Sequence, residues 1–68
     1  MLFKNRKYRQ MISQAKEYFN QGDLEKSAKQ YEQAFNIKIN LPDYIMYGYI
    51  LIDLGQYSKS EEIFRITP

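Results

Sequence analysis

Between residues 24 and 35 the apolar and small side chains fall at Leu24, Ser27, Ala28, Tyr31, Ala34 and Phe35. Steps of three and four put them on one face of an α-helix, which returns to the same direction about every 3.6 residues. Gly22-Asp23 stands just before this stretch. Glycine can end a helix in a left-handed conformation, and aspartate can accept from the first free amides of the next. Upstream, Tyr8, Met11, Ile12, Ala15, Tyr18 and Phe19 form a second face of the same kind. The pattern predicts a helix established by Tyr8 and ending near Asn20-Gln21, then another over about 24–37. Together they make an antiparallel helix-turn-helix hairpin.

Asn40-Leu41-Pro42-Asp43 restarts the chain, with Asn40 as cap, Pro42 in the first turn where its missing amide is harmless, and Asp43 near the positive end. The third helix, over 41–54, differs in character. Its run Tyr44-Ile45-Met46-Tyr47-Gly48-Tyr49-Ile50-Leu51-Ile52 is apolar around nearly the whole circumference, which predicts an element covered on most sides. Propensity alone would allow a strand there. A short fourth helix over 57–66 turns Ile63 and Phe64 inward.

The same grammar recurs at a fixed offset of 33 residues. Met11, Ala15, Tyr18, Gly22, Leu24, Lys26, Ser27 and Tyr31 correspond to Tyr44, Gly48, Leu51, Gly55, Tyr57, Lys59, Ser60 and Phe64. Small residues, large apolar residues and the turn glycine are all preserved, so the chain contains an internal repeat. This register puts the 44–52 run on a helix and sets the strand reading aside. A period of this length implies a solenoid of stacked helix pairs. Ala15 and Gly48 are expected at the helix crossings, with Tyr31 and Phe64 filling the space beside them.

These positions resemble the tetratricopeptide repeat family over roughly residues 8–66. The first copy supplies Met11, Ala15, Tyr18, Gly22, Ser27, Tyr31 and Ala34; the second supplies Tyr44, Gly48, Leu51, Gly55, Ser60 and Phe64. Serine stands at 27 and 60 where the family favours alanine, Leu51 replaces an aromatic, and the period is one short of the family's length of about 34. The resemblance implies an all-α fold of about four helices, two hairpins stacked as a short right-handed solenoid. Repeat one would span about 8–40 and repeat two about 41–68, after a basic leader at 1–7. The leader is expected to be frayed, because the four cations of the first nine residues oppose the helix macrodipole and only Asn5 offers a cap.

Composition narrows the chemistry. Sixty-eight residues form one small domain, in which folding buries only about 60% of the unfolded surface. Neither cysteine nor histidine occurs, so disulfides, thiolate metal sites and the usual general base are excluded. Glu61-Glu62 are helix neighbours pointing about 100° apart and do not share a site. The serines have no histidine to activate them. The three glycines fit neither a phosphate loop nor a dinucleotide fingerprint. The chain reads as non-catalytic, with no cofactor. No run approaches the roughly 18 apolar residues of a membrane span, and Lys4, Arg6, Lys7 and Arg9 follow Met1-Leu2-Phe3 at once, so a cytoplasmic location is expected.

Four of the ten basic residues fall in the first nine positions with no acidic one among them, so the formal net charge of +2 belongs to the leader and the body is slightly acidic. Four charges hold nucleic acid or anionic lipid weakly at physiological salt. Neither is expected as a partner.

The resemblance points instead to a protein or peptide partner lying along the first helix of each hairpin. The implied groove is Arg9, Ile12, Ser13, Lys16, Phe19 and Asn20 from the first helix, with Ile45, Met46, Tyr49, Ile52 and Asp53 from the third. Its principal contacts would be Arg9, Ile12, Lys16, Phe19, Ile45, Tyr49 and Ile52, suited to apolar side chains beside acidic ones. Ile12, Ile45 and Ile52 read equally well as core. A family clamp for a C-terminal carboxylate is not supported, since Ile12 and Met46 occupy two of its polar positions. Two repeats are fewer than the roughly three a solenoid needs. Some of Tyr47, Ile50, Leu54, Ile63 and Ile66 should therefore be exposed. The chain would be a self-associating domain, dimerising through those uncapped C-terminal helices, or the front of a longer array.

Overall fold

The computed structural model describes residues 2–66, and the side chains of residues 4–65. Within them the chain forms four helices and no strand: α1 (Leu2–Asn20), α2 (Leu24–Phe35), α3 (Leu41–Asp53) and α4 (Tyr57–Ile66). α1 packs on α2, α3 on α4, and the hairpins meet through α2 and α3.

Both hairpin turns close in the same way. Gly22 donates its amide to the Phe19 carbonyl at 3.0 Å and Asp23 to Tyr18 at 2.9 Å; one repeat later Gly55 donates to Ile52 at 2.9 Å and Gln56 to Leu51 at 2.8 Å. This pair of bonds is the Schellman closure, which needs a left-handed residue. Gly22 and Gly55 supply it at φ 81° and 80°. The next helices start differently. The Asp23 carboxylate accepts from the Lys26 amide at 3.2 Å, and Asn40 accepts from the Asp43 amide at 3.3 Å. At the head of α4 the capping place belongs to Gln56.

Within each hairpin a serine reaches across the crossing. Ser27 donates its hydroxyl to the Ala15 carbonyl at 2.7 Å, and Ser60 donates to the Gly48 carbonyl at 3.1 Å. Both hydroxyls are buried, and both acceptors belong to the small residue that lets the helices approach. Alanine in their place would fill the space without the bond. The approach is tighter in the second hairpin, where a Cβ on Gly48 would lie 2.9 Å from Phe64 Cζ.

One continuous core joins the hairpins, drawn from Tyr8, Ile12 and Ala15, then Ala28, Tyr31 and Ala34, then Tyr47, Ile50 and Leu51, and finally Ile63. Between α2 and α3 lies an aromatic cluster. Phe35 meets Tyr44 edge-on at 5.1 Å between centroids and Tyr47 at 5.5 Å, while Tyr31 stacks on Phe35 at 5.9 Å. Two hydroxyl bonds brace the same junction: Tyr8 to Asp43 at 2.9 Å and Tyr47 to Glu32 at 2.8 Å, the latter carboxylate also 3.5 Å from the Lys59 ammonium.

Two features stand beside the expectations. α1 begins at Leu2 and takes in the basic stretch as well as the turns from Tyr8 onwards. Tertiary contact holds its first turns: the Lys38 ammonium donates to Asn5 Oδ1 at 3.1 Å and sits 4.9 Å from the centroid of the Tyr8 ring. Secondly, Tyr47, Ile50 and Ile63 are buried at 6%, 0% and 4% exposure rather than displayed at the C-terminal end. The aromatic cluster covers Tyr47, and Ile50 and Ile63 belong to the joint core. Leu54 is half-buried, and the Ile66 side chain lies outside the described ones. The large apolar side chains that do face solvent are Ile39 in the linker, Leu41, Tyr49 and Ile52 on α3, and Tyr57 on α4. Within the 44–52 run of α3 the side chains are buried or half-buried except Tyr49 and Ile52, so the helix is covered on most sides and open along one strip.

Candidate functional site

The first helices of the two hairpins, α1 and α3, border a cleft of about 450 Å³ lined by Tyr8, Arg9, Ile12, Ser13, Lys16, Lys38, Asn40 and Asp43. Successive turns of α1 project Arg9, Ser13 and Lys16 along one wall, since residues three and four apart share a face. Asn40 and Asp43, the cap and first turn of α3, form the opposite wall. Lys38 comes from the linker.

Three cations and one carboxylate make this cleft net positive. Asp43 is already engaged, because it accepts from the Tyr8 phenol. Burial raises the Tyr8 pKa well above its ordinary value, and the bond to the Asp43 carboxylate and that group's charge raise it further. The phenol therefore stays a donor at every physiological pH. Tyr47 is raised in the same way, by burial first and then by its bond to Glu32. Tyr31 is raised by burial and then by the charge of Asp43. Its hydroxyl has no hydrogen-bond partner, alone among the buried side-chain polar atoms described.

Of the residues expected to contact a partner, Arg9, Ile12 and Lys16 come together on the cleft, but Ile12 is only 7% exposed and serves as floor, in the core. Phe19, Ile45, Tyr49 and Ile52 do not line it. Phe19 is half-buried against the core, and Ile45 on α3 is half-buried. Tyr49 and Ile52 are 56% and 38% exposed, and Tyr49 lies with its ring centroid 5.3 Å from that of Phe64. The groove is accordingly two adjoining features: a basic cleft between α1 and the head of α3, and an apolar strip farther along α3.

Sequence reasoning missed Tyr8, Lys38, Asn40 and Asp43 as cleft residues. Asn40 and Asp43 were legible only as cap and helix-end charge, Tyr8 as core, and Lys38 lies in a linker that the repeat pattern leaves unassigned. Their convergence arises from the stacking of the hairpins, to which no short spacing corresponds. Among the described residues no group of three or more carboxylates could hold a metal ion, and no helix is long and apolar enough to cross a membrane.

No curated protein and no solved structure shows a significant match to the chain. The family model described as tetratricopeptide repeat matches residues 8–38 and again 44–65. These segments contain both Schellman turns, both serine bonds across the crossings and the aromatic junction between the hairpins. With two matched copies spanning most of its length, the chain belongs to the tetratricopeptide repeat family.

Proposed function

We propose that the chain is a non-catalytic interaction module whose partner is a peptide or helix carrying apolar side chains beside acidic ones. Tetratricopeptide repeats generally mediate protein–protein interaction. The observation that carries the finer reading is the solvent face of α3. Tyr49 and Ile52 stand open there, in the repeat positions that Lys16 and Phe19 hold on α1. A large exposed aromatic beside an aliphatic side chain supplies the kind of anchor that dominates binding energy. Arg9, Lys16 and Lys38 on the neighbouring cleft supply charge that selects acidic neighbours and speeds encounter. Action is by equilibrium binding alone.

A phage-displayed library of random dodecapeptides, selected on the immobilised chain, tests this. The expected consensus is an aromatic or aliphatic anchor flanked by Asp or Glu. A synthetic consensus peptide followed by fluorescence anisotropy should lose at least about tenfold in affinity, equal to about 1.4 kcal/mol, with Tyr49→Glu and with Lys16→Glu. Both side chains are exposed, so the helical circular dichroism should be unchanged. Equal affinity for both variants, or no enriched peptide, refutes the groove.

A further inference from the structure

Residues of the first hairpin that are covered by the second have counterparts 33 positions later, and those counterparts are more exposed. Tyr8, at 4% exposure, corresponds to Leu41 at 50%; Ile12, at 7%, corresponds to half-buried Ile45. Tyr31, wholly buried under Tyr47, corresponds to half-buried Phe64. Leu24, half-buried beside Leu54, corresponds to Tyr57 at 66%. The outer face of α3 and α4 is therefore a receiving surface of the type that α3 occupies on the first hairpin, and it remains apolar.

The opposite end of the molecule is of another kind. α3 and its C-cap meet the first hairpin through Asp43, Tyr44, Tyr47 and Leu54, whose counterparts on α1 and the turn after it are Gln10, Met11, Gln14 and Gln21. The three glutamines are exposed. A second copy stacked head-to-tail would press these amides onto an apolar surface with no partners, which is costly. Like-on-like contact about a two-fold axis avoids that cost and closes on itself.

The charges on α4 suit such a pairing. Glu61 and Arg65 lie one turn apart, 2.8 Å from each other and largely exposed. With the two-fold axis perpendicular to α4, the two α4 helices lie antiparallel, which sets Glu61 of one copy against Arg65 of the other. A stable interface takes about 800 Å² from each partner, roughly a sixth of this chain's 5074 Å² surface. We propose that the outer face of α3 and α4, with Leu41, Ile45, Tyr57 and Phe64 at its centre, docks the same face of a second copy, pairing Glu61 with the partner's Arg65.

Light scattering across a dilution series tests the pairing. The expected molar mass at high concentration is twice the 8.2 kDa of one chain, falling towards one chain on dilution. Tyr57→Lys should give a helical monomer. Glu61→Arg should weaken the pair at least about tenfold, and the swap Glu61→Arg with Arg65→Glu should restore it, because opposite charges again meet. A wild-type chain that stays at one-chain mass at millimolar concentration overturns the proposal and leaves the face to a different protein. So does a dimer indifferent to Tyr57→Lys, or one that the charge swap fails to rescue. Lys16→Glu should leave the dimer intact, so the pairing and the peptide groove stand or fall separately.

Discussion

Gly48→Ala sets two effects of known sign against each other. In a helix interior, glycine costs about 1 kcal/mol relative to alanine, so propensity alone predicts stabilisation. Packing opposes it. The new Cβ would stand 2.9 Å from Phe64 Cζ, 3.1 Å from Phe64 Cε2 and 3.3 Å from Ile63 Cγ2, where carbon atoms prefer about 3.5–4.0 Å. The ring is also in contact with Tyr49, at 5.3 Å between centroids. Ile63 is 4% exposed and β-branched, hence stiff. Opening the crossing would also stretch the bond from Ser60 to the Gly48 carbonyl, already 3.1 Å. Overpacking of this type costs about 1–3 kcal/mol, so the substitution should destabilise by about 0–2 kcal/mol net. For a domain of this size 1 kcal/mol moves Tm by about 4–8 °C. Urea unfolding followed by circular dichroism at 222 nm gives the value, provided the slope with denaturant is unchanged. Gly48→Ala combined with Phe64→Leu should recover part of the loss relative to Phe64→Leu alone. Stabilisation by the full propensity term of about 1 kcal/mol would refute the close crossing.

Other substitutions separate backbone from side-chain effects. Gly22→Ala and Gly55→Ala meet nothing within 4 Å, so each should cost only the left-handed backbone term of about 1–2 kcal/mol, visible as a lower urea midpoint. Tyr31→Phe deletes a buried hydroxyl without a partner and reproduces what Phe64 does in the second repeat; it should be neutral or stabilising by up to about 1 kcal/mol. Tyr8→Phe, by contrast, breaks a bond to the Asp43 carboxylate and should destabilise by about 1 kcal/mol or more in the same assay. Alkaline titration reports on three phenols together. Tyr8, Tyr31 and Tyr47 have pKa values raised above the ordinary 10.0. Their contribution to stability is thus whole below pH 10 and is lost as pH rises beyond it, because the unfolded chain sheds these protons first. Tyrosinate absorbance near 295 nm from these three should appear together with loss of helicity, and an earlier appearance would contradict their burial.

The repeat made most of the fold legible. Helix periodicity placed all four helices, the two glycines marked both turns, and the spacing of Ala15 and Gly48 against Tyr31 and Phe64 located both crossings. These features are local, or recur at one offset, so a linear pattern carries them. The serines were legible as small packing residues but not as donors. Alanine would satisfy the same pattern, and only the approach of the helices puts a carbonyl within reach of the hydroxyl.

Tertiary structure decided the rest. Helix packing buried Tyr47, Ile50 and Ile63, because an apolar run around a whole helix does not say which half a neighbour will cover. Stacking also separated the expected groove residues. It sent Ile12 into the core, left Tyr49 and Ile52 in water, and gathered Lys38, Asn40 and Asp43 opposite Arg9 and Lys16. At the N-terminus Lys38 reaches Asn5 and Tyr8 from a distant linker, a contact with no counterpart in local propensity. The sequence alone determined the periodicity, the turns and the family, since each depends on residues near in the chain or one repeat apart. Which side chains stay open to solvent was decided only when the second hairpin settled on the first, because exposure is a property of what covers a residue, not of the residue itself.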